Sequence, residues 1–342
     1  MNTDEMYRDN SVTRRKISAI FSREEIQRLT RRSDARGALA IASAWGAITA
    51  TFAVMAWSMS KPLWVSIPVC VAGVALIGGR QVGLAILTHE ATHKTLFNNK
   101  MVNDIAADWL CGRPVGLDLY KYRAHHFIHH TKTGTAEDSD ISLIRNLPTT
   151  RASLLRKFGR DLVGITGGKF LVGRVLMDAE LIKWTVATDV VWLPKDDRGY
   201  LDYAKAILRN AGPTILTNVA LFAALWAVGY PWLYLAWVVA YLIPYPLFLR
   251  VRALAEHAAT EMTSDMFKNT RTTKAGCLAR MLFAPFNVNY HIEHHALASV
   301  PFYRLPQVHT MLRARGIVDA PPDYLDVLKL VSSAEQTHPQ TP

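Results

Sequence analysis

The chain has 342 residues, of which 50% are hydrophobic and 20% are charged. Soluble domains carry about 25% charged residues, so this composition points to a membrane protein, and its hydrophobic content excludes a disordered or collagen-like chain. The formal net charge is +11, but no nucleic-acid-binding motif accompanies it, so we expect contact with anionic lipid headgroups and not with nucleic acid. The three cysteines form no CxxC pair, which excludes a disulfide scaffold and a cysteine zinc site.

Residues 1–36 form a basic segment in front of the first long apolar stretch. The segment is rich in arginine and has no apolar core followed by a small-residue cleavage site. We therefore predict a cytosolic N-terminal arm and no removable signal peptide.

Four apolar stretches without charged side chains are long enough to cross a bilayer, which takes about 20 residues. They cover residues 37–57, 62–79, 211–229 and 231–249. Short turns join the first stretch to the second and the third to the fourth, so the sequence predicts two transmembrane hairpins. The alternative, four buried helices of a soluble protein, is disfavoured because a chain of this size could hardly bury them all.

The basic residues that flank these stretches predict their orientation. Arginines crowd the segment before residue 37 and recur at Arg250 and Arg252 after the fourth stretch, whereas the two hairpin tips carry Lys61 alone. By the positive-inside rule, both termini and the long central segment should lie in the cytoplasm, at the inner membrane if the protein is bacterial.

Two pieces of the central segment, residues 102–115 and 162–192, are apolar but interrupted by charges. We expect them to form helices in the plane of the lipid headgroups, with buried cytosolic helices as an equally open alternative. Beyond residue 320 the chain becomes polar. Residues 37–320 are therefore predicted to form one membrane domain, and residues 321–342 a polar C-terminal tail.

Most of the twelve histidines fall into three short clusters. These are HEATH at residues 89–93, HHFIHH at residues 125–130 and HIEHH at residues 291–295. Residues three or four apart lie on one face of a helix, so the imidazoles of each cluster can reach one metal ion. Clustered imidazoles repel one another as cations and lose hydration as neutral rings, and shared metal ions remove both costs.

Isolated histidines are more often structural, and we interpret His309 and His338 in this way. Within the second cluster, His126, His129 and His130 repeat the HxxHH spacing of the third cluster, so His125 is left outside the predicted ligand set. His257 follows Glu256 shortly after the fourth apolar stretch and, taken alone, would also be interpreted as structural.

Eight or nine imidazoles are more than one ion can bind, so the sequence predicts two metal ions. Nitrogen ligands suit zinc, copper, iron and nickel, so the residue types leave the metal open. HEATH also matches the HExxH motif of zinc metalloproteases, which makes a membrane zinc protease an alternative. Such a protease needs only one further ligand, and the remaining clusters would then have no role.

Three segments resemble the histidine boxes of the membrane-bound fatty acid desaturase family, which also contains hydroxylases, ketolases and epoxidases. They are HEATHKTLF, YRAHHFIHHTKTGTAEDSDIS and NVNYHIEHHALASVPFYRLPQVH, and the resemblance covers roughly residues 80–310. After the third box the family often continues Leu-Phe-Pro-Ser, whereas this chain has Ala-Leu-Ala-Ser from Ala296 to Ser299. The ligands are unaffected by this departure, although the pocket beside the box can differ.

The resemblance implies a di-iron centre that uses O2 as co-substrate and removes two hydrogens from the acyl chain of a lipid or thioester. Hydroxylation or ketone formation is the nearest alternative outcome. Carried over residue by residue, the implied ligands are His89, His93, His126, His129, His130, His257, His291, His294 and His295. Carboxylates at Asp138 and Asp140 would orient ligand imidazoles, and Asn289 and Glu293 could do likewise.

Together, these patterns predict an all-α integral membrane protein, with four transmembrane helices in two hairpins and a cytosolic helical cap that carries the histidine boxes. The sequence contains neither a haem-binding cytochrome domain nor the cysteines of a ferredoxin. We therefore expect electrons to come from a separate ferredoxin, rubredoxin or cytochrome b5-type donor.

Overall fold

The computed structural model describes residues 17–184 and 190–334, and within these ranges the chain is mostly helical. The α-helices are α1 Arg23–Leu29, α2 Asp34–Ser58, α3 Leu63–Thr92, α4 Lys100–Ala107, α5 Leu119–Lys132, α6 Ile141–Ile144, α7 Arg151–Leu162, α8 Ile165–Asp178, α9 Tyr200–Ala227, α10 Leu233–Leu242, α11 Pro244–His257, α12 Cys277–Leu282, α13 His291–Ala296, α14 Leu305–Ala314 and α15 Tyr324–Val331. Single turns of π or 3₁₀ helix cover Asp108–Gly112, Arg113–Val115, Pro285–Asn287 and Phe302–Arg304. His338 and the arginines before residue 17 lie outside the described residues.

Three helical segments in the described part of the chain are long and apolar enough to cross a membrane: Asp34–Ser58, Leu63–Thr92 and Leu233–His257. They correspond to the first, second and fourth predicted spans. The third predicted span lies in α9, which has sufficient length but a lower mean hydropathy, because Asn210, Pro213 and Asn218 interrupt its apolar sequence.

The hairpin of α2 and α3 packs through small side chains. A Cβ atom at Gly73 would lie 2.7 Å from the Cγ of Met55, so the glycine permits this close approach. At the tip of the hairpin, Lys61 lies over the ring of Trp57, and Trp64 is largely exposed. Aromatic and basic side chains in such a position are typical of the membrane–water interface.

Helix α3 continues well past residue 79, where the predicted span ends, and carries the first histidine cluster at its C-terminal end. Arg80 closes the apolar run but does not end the helix. Its guanidinium donates to the backbone carbonyl oxygens of Arg280 and Met281, so its polar atoms are bound within the protein. One continuous helix therefore connects the apolar segment that is long enough to cross a membrane to the first cluster.

Helices α10 and α11 form the apolar segment Leu233–His257 and meet at a kink between Ile243 and Pro244, where proline removes a backbone donor. The two arginines near the end of this segment are bound inside the protein. Arg250 pairs with Asp161 at 2.5 Å and Arg252 pairs with Glu256 at 2.7 Å. Both cations therefore brace the structure, in addition to any role in membrane orientation.

The segment 162–192, predicted to be helical throughout, is only partly so. Helix α8 ends at Asp178, and the strands β1 Ile182–Lys183 and β2 Val191–Trp192 pair antiparallel, with residues 185–189 between them outside the described range. Glu180, with φ of 55°, adopts a left-handed conformation that terminates the helix. The predicted helical character is thus confirmed, and two strands of two residues each form a small sheet within the described residues.

Both predicted terminal segments contribute to the packed structure. Ile17, Phe21 and Leu29 of the N-terminal arm are buried in the main hydrophobic core. Helix α15 lies within the predicted polar tail, yet it buries Val327 and Val331 in a second small core. Valines four residues apart share one helix face, which explains why a short polar sequence still packs.

The contact between α8 and α10 provides a test of packing at neighbouring glycines. A Cβ atom at Gly167 would lie 2.1 Å from the carbonyl oxygen of Leu242, whereas one at Gly168 would meet nothing within 4 Å. We expect Gly167→Ala to lower the melting temperature, because the helices must separate. Gly168→Ala should leave it unchanged or raise it, since alanine stabilises a helix by roughly 0.5–1 kcal/mol relative to glycine. Equal melting temperatures for the two variants would contradict this contact.

Candidate metal centre

Four helices bring the predicted ligand histidines together. Helix α3 carries the first cluster at its end, α5 carries the second along its buried face, α11 ends at His257, and the short helix α13 carries the third. The ends of two apolar segments long enough to cross a membrane thus meet the helices of the central and C-terminal segments at one place.

The nine imidazoles form two groups, and within each group one ligand atom per residue lies within 4.8 Å of all the others. The first group is His89, His93, His126, His130 and His294, and the second is His129, His257, His291 and His295. Eight of these residues are buried and His93 is half-buried. Histidines four residues apart in the sequence belong to the same group. His129 belongs to the second group although its cluster neighbours belong to the first, and His294 belongs to the first group although its cluster neighbours belong to the second.

The ring nitrogens within each group face one another at short distance. The Nε2 atom of His257 lies 3.2 Å from that of His129 and 2.8 Å from that of His291. In the first group, Nε2 of His130 lies 3.1 Å from that of His294. Neutral imidazole has one N–H and one lone pair, so several Nε2 atoms facing a common point cannot all satisfy one another by hydrogen bonds.

A metal ion satisfies this arrangement. Two nitrogens that share an ion at about 2.1 Å lie about 3.0 Å apart when the ligand angle is 90° and about 3.4 Å apart when it is tetrahedral. Five Nε2 pairs within the two groups are separated by 2.8 to 3.2 Å, and all the ligand atoms of a group lie within 4.8 Å of one another. Separations of this size are expected for nitrogens that share one ion. His89 also fits a metal site, because both of its buried ring nitrogens lack a hydrogen-bond partner within the protein.

Burial keeps most of these imidazoles neutral and therefore able to bind a metal. It lowers the pKa of His93 to about 3. Burial also lowers the pKa of His126, His130, His291, His294 and His295, with neighbouring histidines adding to the effect. His129 is the exception: burial lowers its pKa, but the hydrogen bond that its ring donates to Asp138 and nearby carboxylate charges outweigh burial and raise the pKa.

These shifts predict that the metal-free protein is less stable in acid. Histidine in an unfolded chain has a pKa of about 6.5, so below that pH the unfolded state binds protons that the folded state excludes. The contribution of these neutral histidines to stability is complete above about pH 6.5 and is lost as the pH falls toward 3. His129, whose pKa is raised, contributes in the opposite sense, but the histidines with lowered pKa are more numerous. Chelator-treated protein should melt at a lower temperature at about pH 5.5 than at about pH 7.5. A higher melting temperature at the lower pH would contradict the conclusion that these histidines are buried in their neutral form.

Asp138 and Asp140, which the sequence predicts to orient ligands, lie beside histidines of the second cluster. Nδ1 of His129 donates to Asp138 at 2.8 Å, which leaves the lone pair of Nε2 free for the second group. Asp140 bonds Nε2 of His125 at 2.9 Å and lies 3.8 Å from Nδ1 of His129. Burial would raise the pKa of Asp140, but the hydrogen bond from His125 and the charges of nearby histidines lower it to about 2.

Asn289 and Glu293 have different contacts from those predicted. The side-chain nitrogen of Asn289 donates to the carbonyl oxygen of Thr273, and Glu293 accepts from Thr272 and His309. Successive helix positions differ by about 100°, so Glu293 points away from the neighbouring His294 and not toward its ring. Both residues therefore contact the segments that surround α13.

Glu90 and Glu256 lie near the groups, although the sequence pattern predicts no role for either of them in a two-metal site. A carboxylate oxygen of each lies 3.7 Å from the Nδ1 of a ligand, His89 and His291 respectively. The sequence does contain a sign of this proximity, because each glutamate is adjacent to a predicted ligand histidine. Glu90 is buried and accepts from Thr95 Oγ1 and from the backbone N–H of Phe302, both at 3.0 Å. Both hydrogen bonds are accepted by Oε2, so this oxygen is fixed by the segments that contain Thr95 and Phe302.

Comparison with known proteins places these features in a family context. The sequence profile described as fatty acid desaturase matches residues 62–321, which contain all nine clustered imidazoles. Dihydrorhizobitoxine desaturase from Bradyrhizobium elkanii is 26% identical over 312 residues, covering 83% of this chain and 78% of that protein. The Delta(5) fatty acid desaturase fat-4 from Caenorhabditis elegans is 21% identical over 271 residues, covering 73% of this chain and 59% of that protein.

Proposed function

Because the chain belongs to the fatty acid desaturase family, we propose that it is an O2-dependent desaturase that introduces a double bond into a fatty acyl chain of a lipid or thioester. Both relatives are named as desaturases, one of a fatty acid and the other of dihydrorhizobitoxine, so their names agree on the reaction and differ on the substrate. The observation that carries the proposal is the pair of adjacent imidazole groups, since a hydrolytic zinc site needs far fewer ligands.

The nine histidines of the two groups are the proposed ligands of two iron ions. When bound, iron supplies the redox change that activates O2 for attack on an unactivated C–H bond. The residues of the chain hold most of the imidazoles neutral and keep them in fixed orientation. Asp138 fixes the tautomer of His129, and the backbone carbonyl of Asn269 lies 3.5 Å from Nδ1 of His257.

Aromatic rings help to exclude water from the first group. Tyr122 stacks on His126 with ring centroids 5.5 Å apart, and the ring of Phe127 lies edge-on to His93 at 6.0 Å. Phe127 thus lies beside His93, the half-buried member of the first group. Exclusion of water protects a strong oxidant from side reactions before it meets the acyl chain.

We propose that α9 is a fourth transmembrane helix despite its lower hydropathy. Its apolar side chains at Ile215, Val219 and Trp226 are exposed, as a lipid-facing surface requires. The amide of Asn218 is bound within the bundle: its oxygen accepts from Tyr234 and Trp237 at 3.2 and 3.3 Å. A polar group satisfied in this way is tolerated in a bilayer. The helix ends that carry ligands then lie on one side of the membrane, which the flanking arginines assign to the cytoplasm.

The electrons for the reaction are proposed to come from a separate ferredoxin, rubredoxin or cytochrome b5-type protein. An acidic donor fits the positive net charge of the chain, which gives long-range attraction between the two proteins. The acyl carrier of the substrate and the position of the double bond depend on the shape of the substrate path and are best determined from the products.

Mass spectrometry of lipids from cells with and without the protein tests the reaction. Desaturation predicts products lighter than their precursors by two hydrogen atoms, and these should disappear when O2 is withheld. Products heavier by one oxygen atom would replace the proposal with hydroxylation. Proteolytic fragments of a membrane protein, formed without O2, would support the zinc protease instead.

A further inference from the structure

Helix α13 carries three of the proposed ligands although it is very short. It has six residues, and Tyr290, the residue that precedes it, provides no side-chain cap. An isolated helix of this length is unstable in water. Yet His294 belongs to the first group and His291 and His295 to the second, so a rotation of α13 would disturb both. Contacts outside the helix must therefore fix its orientation.

Glu293 makes these contacts from the middle of the helix. It is fully buried, and its carboxylate accepts hydrogen bonds from Nδ1 of His309 at 2.6 Å and from Oγ1 of Thr272 at 2.5 Å. The hydroxyl oxygen of Thr272 in turn accepts from the backbone N–H of Ile292 at 3.1 Å. Three separate segments are thus joined at one carboxylate.

His309 reaches this carboxylate from α14 and is itself held in place. Its ring packs against Tyr290 with centroids 5.3 Å apart, and its side chain is 15% exposed. Burying a carboxylate without partners is costly, so Glu293 stays in position only while its two donors are present. A rotation of α13 would break both hydrogen bonds.

We infer that His309 is a positioning residue for the metal centre, acting through Glu293 to fix the orientation of the three imidazoles on α13. The inference rests on the proposed metal centre. It reverses the interpretation of His309 from the sequence, which offered no partner for a histidine so far from the three clusters. Replacing a residue that orients a metal ligand typically lowers metal affinity or activity by about 10- to 100-fold.

Paired substitutions at His309 separate the hydrogen bond from the packing. His309→Asn keeps an N–H donor near the position of Nδ1, whereas His309→Leu keeps similar volume without a donor. Gln307→Ala, at an exposed site on the same helix, is the matched control. The measurements are bound iron per chain after dialysis against a chelator, the Mössbauer spectrum of protein grown in isotopically enriched iron, and the melting temperature.

We expect His309→Leu to weaken iron retention by about 10-fold or more and to change the Mössbauer spectrum, while His309→Asn restores most of both. Gln307→Ala should match the unchanged protein. Equal losses in the leucine and asparagine variants, or full iron with an unchanged spectrum in His309→Leu, would overturn the inference.

Thr272→Val provides a second test should His309→Leu fail to fold. Valine keeps the shape of threonine and removes the other donor to Glu293, so the same loss of iron and the same spectral change are expected. Wild-type iron retention in this variant would contradict the role of the carboxylate. None of these measurements needs a substrate, so they can succeed even when the lipid products refute desaturation.

Discussion

His294→Ala is expected to abolish turnover and to lower the bound iron while leaving membrane insertion intact. The ring of His294 is buried in the first group, with its Nε2 atom 3.1 Å from that of His130. Replacing residues that merely orient ligands costs 10- to 100-fold, so loss of a ligand should reduce activity by at least about 100-fold. Insertion should persist because α13 lies outside the apolar spanning segments. Product formation, metal content and membrane fractionation measure the three effects.

His125→Gln is the matched control in the neighbouring cluster. His125 lies outside both groups and bonds Asp140 through Nε2, a position from which the glutamine amide can also donate. We expect most activity and iron to remain. Full turnover in His294→Ala would remove the third cluster from the mechanism, and equal losses in the two variants would mean that the clusters act only through the fold.

Arg250→Met is expected to destabilise the protein strongly. Asp161 is fully buried and receives two hydrogen bonds from the guanidinium of Arg250, at 2.5 and 3.0 Å. Removing one partner of a buried pair leaves an uncompensated charge and costs about 3 kcal/mol or more. For a chain of this size the melting temperature should fall by roughly 5 °C or more. Thermal unfolding in detergent, followed by circular dichroism, provides the measurement.

Arg209→Met supplies the comparison at an exposed ion pair. Arg209 bonds Glu180 at 2.5 Å, but the two side chains are 69% and 40% exposed. Water screens such a pair, so its loss should cost less than about 1 kcal/mol. If both variants melted alike, Asp161 would not depend on Arg250, and the link between α7 and α11 would carry no stability.

The membrane helices could be predicted where the apolar sequence is continuous. Residues 37–57 lie within α2, and residues 62–79 lie within α3 except for Pro62, which precedes its first residue, as the absence of charge implies. The full length of α3 could not be read in this way, because Arg80 ends the apolar run. Its charge is tolerated only because carbonyl oxygens from a distant segment accept its hydrogen bonds.

The small sheet was not predictable for a similar reason. Apolar residues on both sides of Glu180 continue a pattern that suits a helix, and nothing in that pattern requires Glu180 to adopt a positive φ. In the fold, its carboxylate accepts from Arg209 and from Asn210 on α9, contacts that no local pattern reveals. Tertiary contacts thus decide where α8 stops.

The identity of the clustered histidines could be read from spacing, but their division into two groups could not. Pairs four residues apart, such as His126 and His130, share a helix face and therefore a group. His129 lies between them in sequence and faces His257, which reaches it from another helix. The partners of His309 and Glu293 are likewise set by how α13 and α14 meet, so only the structure brings them together.

Anomalous X-ray scattering at the iron absorption edge tests the central claim most directly. Crystals of the purified protein, grown with its native metal retained, should give two iron peaks, one within each imidazole group. A single peak, or zinc in place of iron, would contradict a redox-active pair of metals held by these nine rings.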